Sequence, residues 1–483
     1  MSIDITSQFN EKAVSRKEYR LLRKILKDVF VPTREFVSPA AKLSFRLDEV
    51  KKETLETVLS QVYEQIIPHC VQLRSPMTVS HMVPPPLTIS VIADMLIGAL
   101  NQCAFIWEEA PLAANLETEC LDWMKYQIGY NSNSGGLLTS GGTMSNCLAT
   151  YLAIARARRY YPNEQKHYSI IASDQAHFSI EKAALLNGLN SNSIIKIKTN
   201  SKGKIQPGQI AETAERAYKN GLIPVLFICT AGTTNSGLME SAREFSNIAQ
   251  LYKSWCHLDA AYGGFMSLCD KSYVLSEKWA NADSVSWDPH KTLYVSYAVG
   301  ALLLKDRTTI KPLEFHSDYA LKEYENEVDA GTFHFEGSRR FEALKLWMTI
   351  KYMKEEGFRE VLYKTLRNSE FFASLIRKDD DFDLVTEPET HIVCFRFTSS
   401  GIDEDILNDI NKSCQKNLFK VGNTLISSTK INGKAVLRAV LINPLTETID
   451  LIRILENIRL EAKKQLSIIR SSKGAKYASE ACY

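Results

Sequence analysis

The chain has 483 residues, with 58 Lys+Arg against 56 Asp+Glu and 45% hydrophobic residues, which excludes a disordered, collagen-like or small disulfide-stapled chain. At roughly 100–200 residues per domain there is material for a sizeable buried core split over several units. A formal net charge of +2 offers no broad basic field, so neither nucleic acid nor an acidic surface is an expected partner.

The first ten residues carry acidic and polar side chains where a secretory signal needs a basic end and an apolar run, so none is expected. The ten cysteines include no CxxC pair and sit mostly in apolar runs such as Val225–Cys229; reduced thiols in a cytoplasmic protein are expected, and no metal site. Apolar stretches stop well short of the ~18 residues that span a bilayer, so no membrane association is expected.

Residues 1 to about 75 place Tyr19, Leu22, Ile25, Leu26 and Val29 at helical spacing, which predicts helices. Pro84-Pro-Pro86 marks an extended crossing before an apolar helix from Ile89 to about Leu100. From about 139 to 305 short β-branched runs alternate with helical segments. The strands expected are Tyr168–Ala172, Ser193–Ile197, Ile223–Cys229, Trp255–Asp259, Asp283–Trp287 and Ala298–Leu304, with helices over 143–159, 179–188, 207–219 and 240–253. This alternation predicts an α/β fold with a mostly parallel sheet covered on both faces.

Beyond a long helix from about Ser338 to Glu355 come strands at 391–398 and 434–442 and helices at 403–416 and 446–464, an α+β pattern. The expected divisions are a helical segment 1–80, a large domain 81–355 and a small C-terminal domain 356–483, with a fraying tail from about 470.

Ligands gather at the carboxyl ends of strands in an open parallel sheet, and four places there carry unusual residues. Thr139-Ser-Gly-Gly-Thr-Met-Ser-Asn146 precedes a helix; its glycines permit close approach, and Thr143 and Ser145 offer hydroxyls where the helix start favours an anion. An ordinary glycine turn is the alternative. His177, after a strand, could stack on a flat ring or simply pack. Asp259 ends an apolar strand and is followed by Ala260 and Ala261; a carboxylate there needs a cation or donors, or else serves as a turn cap. In Asp288-Pro-His-Lys291 a lysine again lies just past a strand. A lysine able to form an imine, a carboxylate and a phosphate cradle together suit pyridoxal phosphate chemistry.

Six segments then show a resemblance. Ser-Gly-Gly-Thr143, Ala-His177-Phe, Thr-Ala-Gly-Thr-Thr234, His-Leu-Asp259-Ala-Ala, Asp-Pro-His-Lys291 and Gly-Ser-Arg-Arg-Phe341-Glu-Ala-Leu-Lys-Leu-Trp347 resemble, in register, the group II pyridoxal-phosphate-dependent amino-acid decarboxylases. This family includes glutamate, aromatic, histidine and diaminobutyrate decarboxylases, and the likeness runs from about residue 70 to 460. It implies the type I (aspartate aminotransferase-like) fold and a homodimer with sites at the subunit interface. By the resemblance Lys291 carries the cofactor, Asp259 faces the pyridine nitrogen and His177 stacks on the ring. Thr234 and Ala261 touch the ring and its substituents, while Gly142, Thr143 and His290 hold the phosphate. Asp288 stands where many members have Asn. Tyr319 matches the tyrosine of a catalytic loop that protonates the carbanionic carbon in a neighbouring subunit's site. Arg438 matches an arginine that lies near the substrate carboxylate or supports the cofactor pocket, and Pro84 and Trp107 lie in segments expected at the substrate pocket.

The expected reaction removes the α-carboxylate of an L-amino acid to give a primary amine and CO2. The stretches around Ser80–Pro86 and Ile97–Glu109 look most like diaminobutyrate and lysine decarboxylases, where Glu108 or Glu109 would neutralise a distal ammonium. An aromatic pocket from Phe105, Trp107 and Tyr319, an acidic substrate, or an aldehyde-forming or transaminating reaction are the alternatives.

Overall fold

The chain, seen in a computed structural model, is described over residues 16–30, 53–317 and 330–480. Twelve strands fall in that range: β1 (Thr78–Val79), β2 (Gly135–Thr139), β3 (Tyr168–Ser173), β4 (Ile194–Ile197), β5 (Ile223–Thr230), β6 (Trp255–Asp259), β7 (Ser284–Trp287), β8 (Gly300–Leu304), β9 (Phe382–Thr386), β10 (Ile392–Phe397), β11 (Leu425–Ile431) and β12 (Lys434–Val440). The β-branched runs become the interior of a seven-stranded sheet ordered β2-β8-β7-β6-β5-β3-β4. The pairs from β4 to β7 are parallel, and β8 runs antiparallel to both of its neighbours.

Near-continuous apolar strands mean a sheet buried on both faces, and the two faces separate by alternation. Ile171, Phe227 and Leu258 join one core, where the helix Ala242–Leu251 packs with Phe245. Ile170, Ala172, Leu226 and Ile228 join the other, packed on Leu148 and Leu152 of the helix Gly142–Tyr160. The α/β fold is the one expected, and the parallel strands all point their carboxyl ends the same way, towards one crevice.

The second sheet has the order β1-β11-β12-β10-β9 and is antiparallel except where β1 joins β11. Alternation again divides it: Val393, Phe395 and Leu437 pack under the helices Glu404–Val421 and Thr448–Glu480, while Cys394, Val436 and Val440 face the large-sheet core.

Several elements differ from expectation. Thr78–Val79, within the segment read as helical, is the edge strand of the small sheet. A helix at Pro111–Ile128, started by Pro111 and stopped by left-handed Gly129, was not anticipated, nor were β2, β9 and β11. The glycines of Gly135-Gly-Leu-Leu-Thr and the serines of Leu425-Ile-Ser-Ser-Thr hide strand character that pairing supplies. The helix expected to stop near Glu355 is one of 35 residues, Ala343–Arg377, interrupted by a non-helical Lys354 with φ of 50°. Among the described residues no helix is long and apolar enough to cross a membrane.

Candidate active site

A cavity of about 360 Å³ opens at the carboxyl ends of β3, β5, β6 and β7. It collects Gly142 and Thr143 from the start of the helix Gly142–Tyr160, His177 after β3, Thr234 after β5, Asp259 and Ala261 from β6, and Asp288, His290 and Lys291 after β7. These nine residues are brought together from segments up to 149 positions apart by strand direction.

The helix start is tight because only glycine fits it. A Cβ on Gly142 would stand 2.8 Å from Ala261 Cβ, and one on Gly300 of β8 would stand 2.5 Å from Gly141 Cα. Gly141, at φ of 145°, caps a 19-residue helix whose first N–H groups have no intrahelical acceptor. Of the two hydroxyls read as anion donors, Thr143 lines the cavity. Ser145 does not: its Oγ is turned inward to Thr139 Oγ1 at 2.8 Å and the Ala301 carbonyl at 3.2 Å.

Asp259 is surrounded by donors. Its Oδ2 accepts from Asn146 Nδ2 at 2.8 Å, and its Oδ1 from the Ala261 N–H at 3.2 Å and Ser286 Oγ at 3.1 Å. Burial works to raise this carboxyl, but the His257 ring, the Lys291 ammonium and the donated hydrogen bonds outweigh it and hold it below its ordinary value. His257 itself is pushed by burial down to about 4, so its attraction for Asp259 acts only in acid, where the ring would take up a proton, and at neutral pH the ring is neutral. Burial also lowers His177 and His290, so neither is a standing cation at neutral pH.

Lys291 Nζ lies 3.0 Å from Asp288 Oδ2, and His290 Nε2 lies 3.6 Å from the same oxygen. His290 Nδ1 accepts from the Val299 N–H at 3.1 Å, and its ring packs 4.3 Å from that of Tyr297. The other Asp288 oxygen, Oδ1, is buried without a hydrogen-bond partner.

Sequence reasoning missed Asn146 and Tyr297. Asn146 stands one helical turn beyond Gly142 and Thr143, a spacing that returns it to their face. Tyr297 carried no signal; its hydroxyl donates to the Met82 carbonyl at 3.3 Å, which brings the Ser80–Pro86 crossing to the cavity rim. Pro84, Trp107 and Arg438 are not among the lining residues of this cavity. Arg438 is buried, its guanidinium donating to the Ser80 carbonyl at 3.0 Å and Ser427 Oγ at 3.1 Å, which ties the small sheet to that crossing. Pro84 is buried within the crossing, and Trp107 opens a short turn whose Glu108 and Glu109 are exposed. Tyr319 lies outside the described residues.

The residues present fit pyridoxal phosphate. The glycine-lined helix start suits a phosphate, His177 and Ala261 both line the cavity where a flat ring would lie, and the buried Asp259 offers an ionised oxygen. The class is therefore that of enzymes built around a lysine-bound pyridoxal cofactor.

Comparison with known proteins narrows the class. The family model of the pyridoxal-dependent decarboxylase conserved domain matches residues 45–398. The chain is 27% identical over 433 residues to the L-2,4-diaminobutyrate decarboxylase of Acinetobacter baumannii, covering 86% of this chain and 85% of that one. It is 29% identical over 418 residues to the aromatic-L-amino-acid decarboxylase of Bacillus atrophaeus, covering 86% of each. A crystal structure of Oryza sativa TDC with PLP and tryptamine superimposes with a TM-score of 0.85 at 22% identity, over 93% of this chain and 98% of that one. The chain belongs to the pyridoxal-dependent decarboxylase family; it is a pyridoxal-phosphate-dependent carboxy-lyase acting on an amino acid, with the type I fold.

Proposed function

We propose that the protein converts a dibasic L-amino acid, such as 2,4-diaminobutyrate, lysine or ornithine, to a primary amine and CO2. The observation that carries the reaction is the convergence of Lys291, Asp259 and His177 on one cavity. Bound pyridoxal phosphate supplies a sink for the electron pair left at Cα when CO2 departs. Lys291 is the residue that would carry it, and Asp288 Oδ2, 3.0 Å from its Nζ, orients the amine. Asp259 stays ionised so as to hold a proton at the ring nitrogen. Gly142, Thr143 and His290 would hold the phosphate, Thr234 and Ala261 would contact the ring, and His177 would stack on it; all of them line the cavity.

Two observations support a dibasic substrate. One relative that covers most of this chain is a diaminobutyrate decarboxylase. In addition, Ser140, which lines the cavity, donates to Glu336 Oε1 at 3.2 Å, so a carboxylate adjoins the lining and is a candidate partner for a distal ammonium. Glu336 joins Glu108 and Glu109 as a candidate partner for that charge. The aromatic-amino-acid relative supports the second reading, an aromatic substrate. Arg438, Pro84 and Trp107 are proposed to act from behind the rim, with Tyr319 as proton donor reaching across a homodimer interface. A cytoplasmic location is proposed from the cysteines: the nine among the described residues are free, and five of them are buried.

The deciding experiment is CO2 release from the common L-amino acids plus 2,4-diaminobutyrate and ornithine, with the product tested for amine against aldehyde. Release from the dibasic set with amine as product, lost in Lys291→Ala and raised about tenfold or more in KM by Glu336→Gln, is the expected result. Release only from aromatic or acidic amino acids, or aldehyde as the product, overturns it.

A further inference from the structure

Behind the cavity runs a chain of hydrogen bonds in which each member has one workable orientation. The Trp255 indole N–H, a donor only, reaches Ser284 Oγ at 2.8 Å. Ser284 Oγ lies 2.7 Å from His257 Nδ1, and His257 Nε2 lies 2.9 Å from Asn146 Oδ1. The Asn146 amide nitrogen donates to Asp259 Oδ2 at 2.8 Å and to Ser179 Oγ at 2.9 Å. Ser179 Oγ lies 2.9 Å from His177 Nδ1, and the Ser179 backbone N–H donates to that same nitrogen at 3.3 Å. Asn146 and Ser179 are fully shielded from water, at 2% and 0% exposure, so no solvent competes for these bonds.

The directions follow from one end. An ionised carboxylate only accepts, so Asp259 dictates that the nitrogen of the Asn146 amide faces it. The amide oxygen then faces His257, whose Nε2 must donate, and Nδ1 of that neutral ring accepts from the Ser284 hydroxyl. On the other branch Ser179 Oγ has accepted an Asn146 hydrogen, and its own hydroxyl hydrogen points at His177. With two donors aimed at it, His177 Nδ1 is an acceptor, and the ring proton is left on Nε2.

We propose that Asn146 is a positioning residue: through Ser179 it holds His177 as the neutral, Nε2-protonated ring, while its other amide hydrogen orients Asp259 as a carboxylate. One amide thereby sets two groups in opposite states, an acceptor at the depth of the cavity and an N–H donor above it. The value of that donor to the substrate carboxylate rests on the decarboxylase reading given above. The tautomer itself does not.

The test is nuclear magnetic resonance of the pyridoxal-phosphate-loaded enzyme with isotopically labelled histidine ring nitrogens, the His177 signals being assigned by their loss in His177→Gln. The unsubstituted enzyme is expected to carry the His177 proton on Nε2. Ser179→Ala, which removes the hydroxyl donor at 2.9 Å and leaves His177 Nδ1 only the longer backbone N–H at 3.3 Å, is expected to admit the Nδ1-protonated form alongside the Nε2 form, with cofactor affinity within about twofold of the original. Asn146→Ala, which cuts both branches, changes the ring in the same way and weakens cofactor binding about tenfold or more. A His177 proton on Nδ1 in the unsubstituted enzyme overturns the proposal, as does an unchanged Nε2 form in Ser179→Ala. Those two samples decide the matter even if Asn146→Ala does not fold. Neither readout involves turnover, so silence across the amino-acid panel would count against the substrate reading and leave this inference standing.

Discussion

Glu117 shows how much a single buried charge can organise outside the cavity. Its carboxylate accepts from the Leu138 N–H at 2.9 Å and pairs with Arg339 at 2.7 Å and His334 at 3.2 Å, joining the helix Pro111–Ile128 to β2 and to the segment after residue 330. Burial would raise its pKa, but Arg339 and His334 bring it down from 4.5 to about 2. A depressed carboxyl contributes stability that is complete above its unfolded value and is lost as pH falls through the folded one. The fold should therefore weaken between about pH 5 and pH 2 as this pair is lost. Glu117→Gln leaves Arg339 buried without its counter-charge and is expected to cost about 3–5 kcal/mol at neutral pH. Denaturant midpoints taken down the acid limb check both statements: the variant's curve should be flatter, and an equally steep one would refute the assignment.

At the scale of elements, β6 explains why the site was partly legible in sequence. Trp255–Asp259 was readable as a strand to the residue, because its apolar run is bounded by a turn and by small residues. Period-two alternation then puts Trp255, His257 and Asp259 on the face of the helix Gly142–Tyr160, and Cys256 and Leu258 on the other. Asp259 and Lys291 stood out because a charge at the end of a buried strand is costly without a purpose. Asn146, by contrast, meets His257 across 111 positions, and polar residues carry no periodic signature that announces such a partner. The glycines were legible as a tight turn, and the structure adds what they abut. In Gly142→Ala the helix gain of about 1 kcal/mol over glycine is opposed by overpacking of about 1–3 kcal/mol, so the melting temperature is expected to fall by a few degrees at most. Its Cβ, however, meets Ala261 Cβ at 2.8 Å and Asp288 Oδ2 at 3.1 Å. Cofactor affinity, read by titration of the apoenzyme, is accordingly expected to fall about tenfold or more, and an unchanged affinity would show that the cradle can yield.

The whole molecule leaves apolar surface beside the cavity. Phe178, next to His177, is 58% exposed, with Leu185 and Leu186 further along its helix, and the helix Thr88–Leu100 presents Ile92, Met95, Leu96 and Leu100. Exposed aliphatic clusters of this kind are what a second copy of the chain would cover. Sedimentation should give twice the chain mass, and Met95→Asp should shift it towards the monomer with loss of activity; a fully active monomer would sink the proposed homodimer. The small sheet was legible only in part, since β10 and β12 are apolar whereas β9 and β11 gain strand geometry from their partners. Least legible of all was β1, two residues long, whose place is set wholly by distant chain.

That short strand bears on how the molecule is made. Thr78 and Val79 leave the ribosome long before Leu425 and Ile426, their partners, and the adjoining Ser427–Ser80 bond closes 347 positions. Loop closure on that scale comes late in folding, because the entropy of the intervening chain is lost before the contact can repay it. The early segment must therefore wait, unpaired, while the large sheet assembles around the cavity. Arg438, which grips the Ser80 carbonyl, completes the circuit. These two distant segments thus act as a clasp that shuts only once residues 425–438 have been made, and a nascent protein lacking β11 and β12 has its cavity walls but not the fastening of its rim.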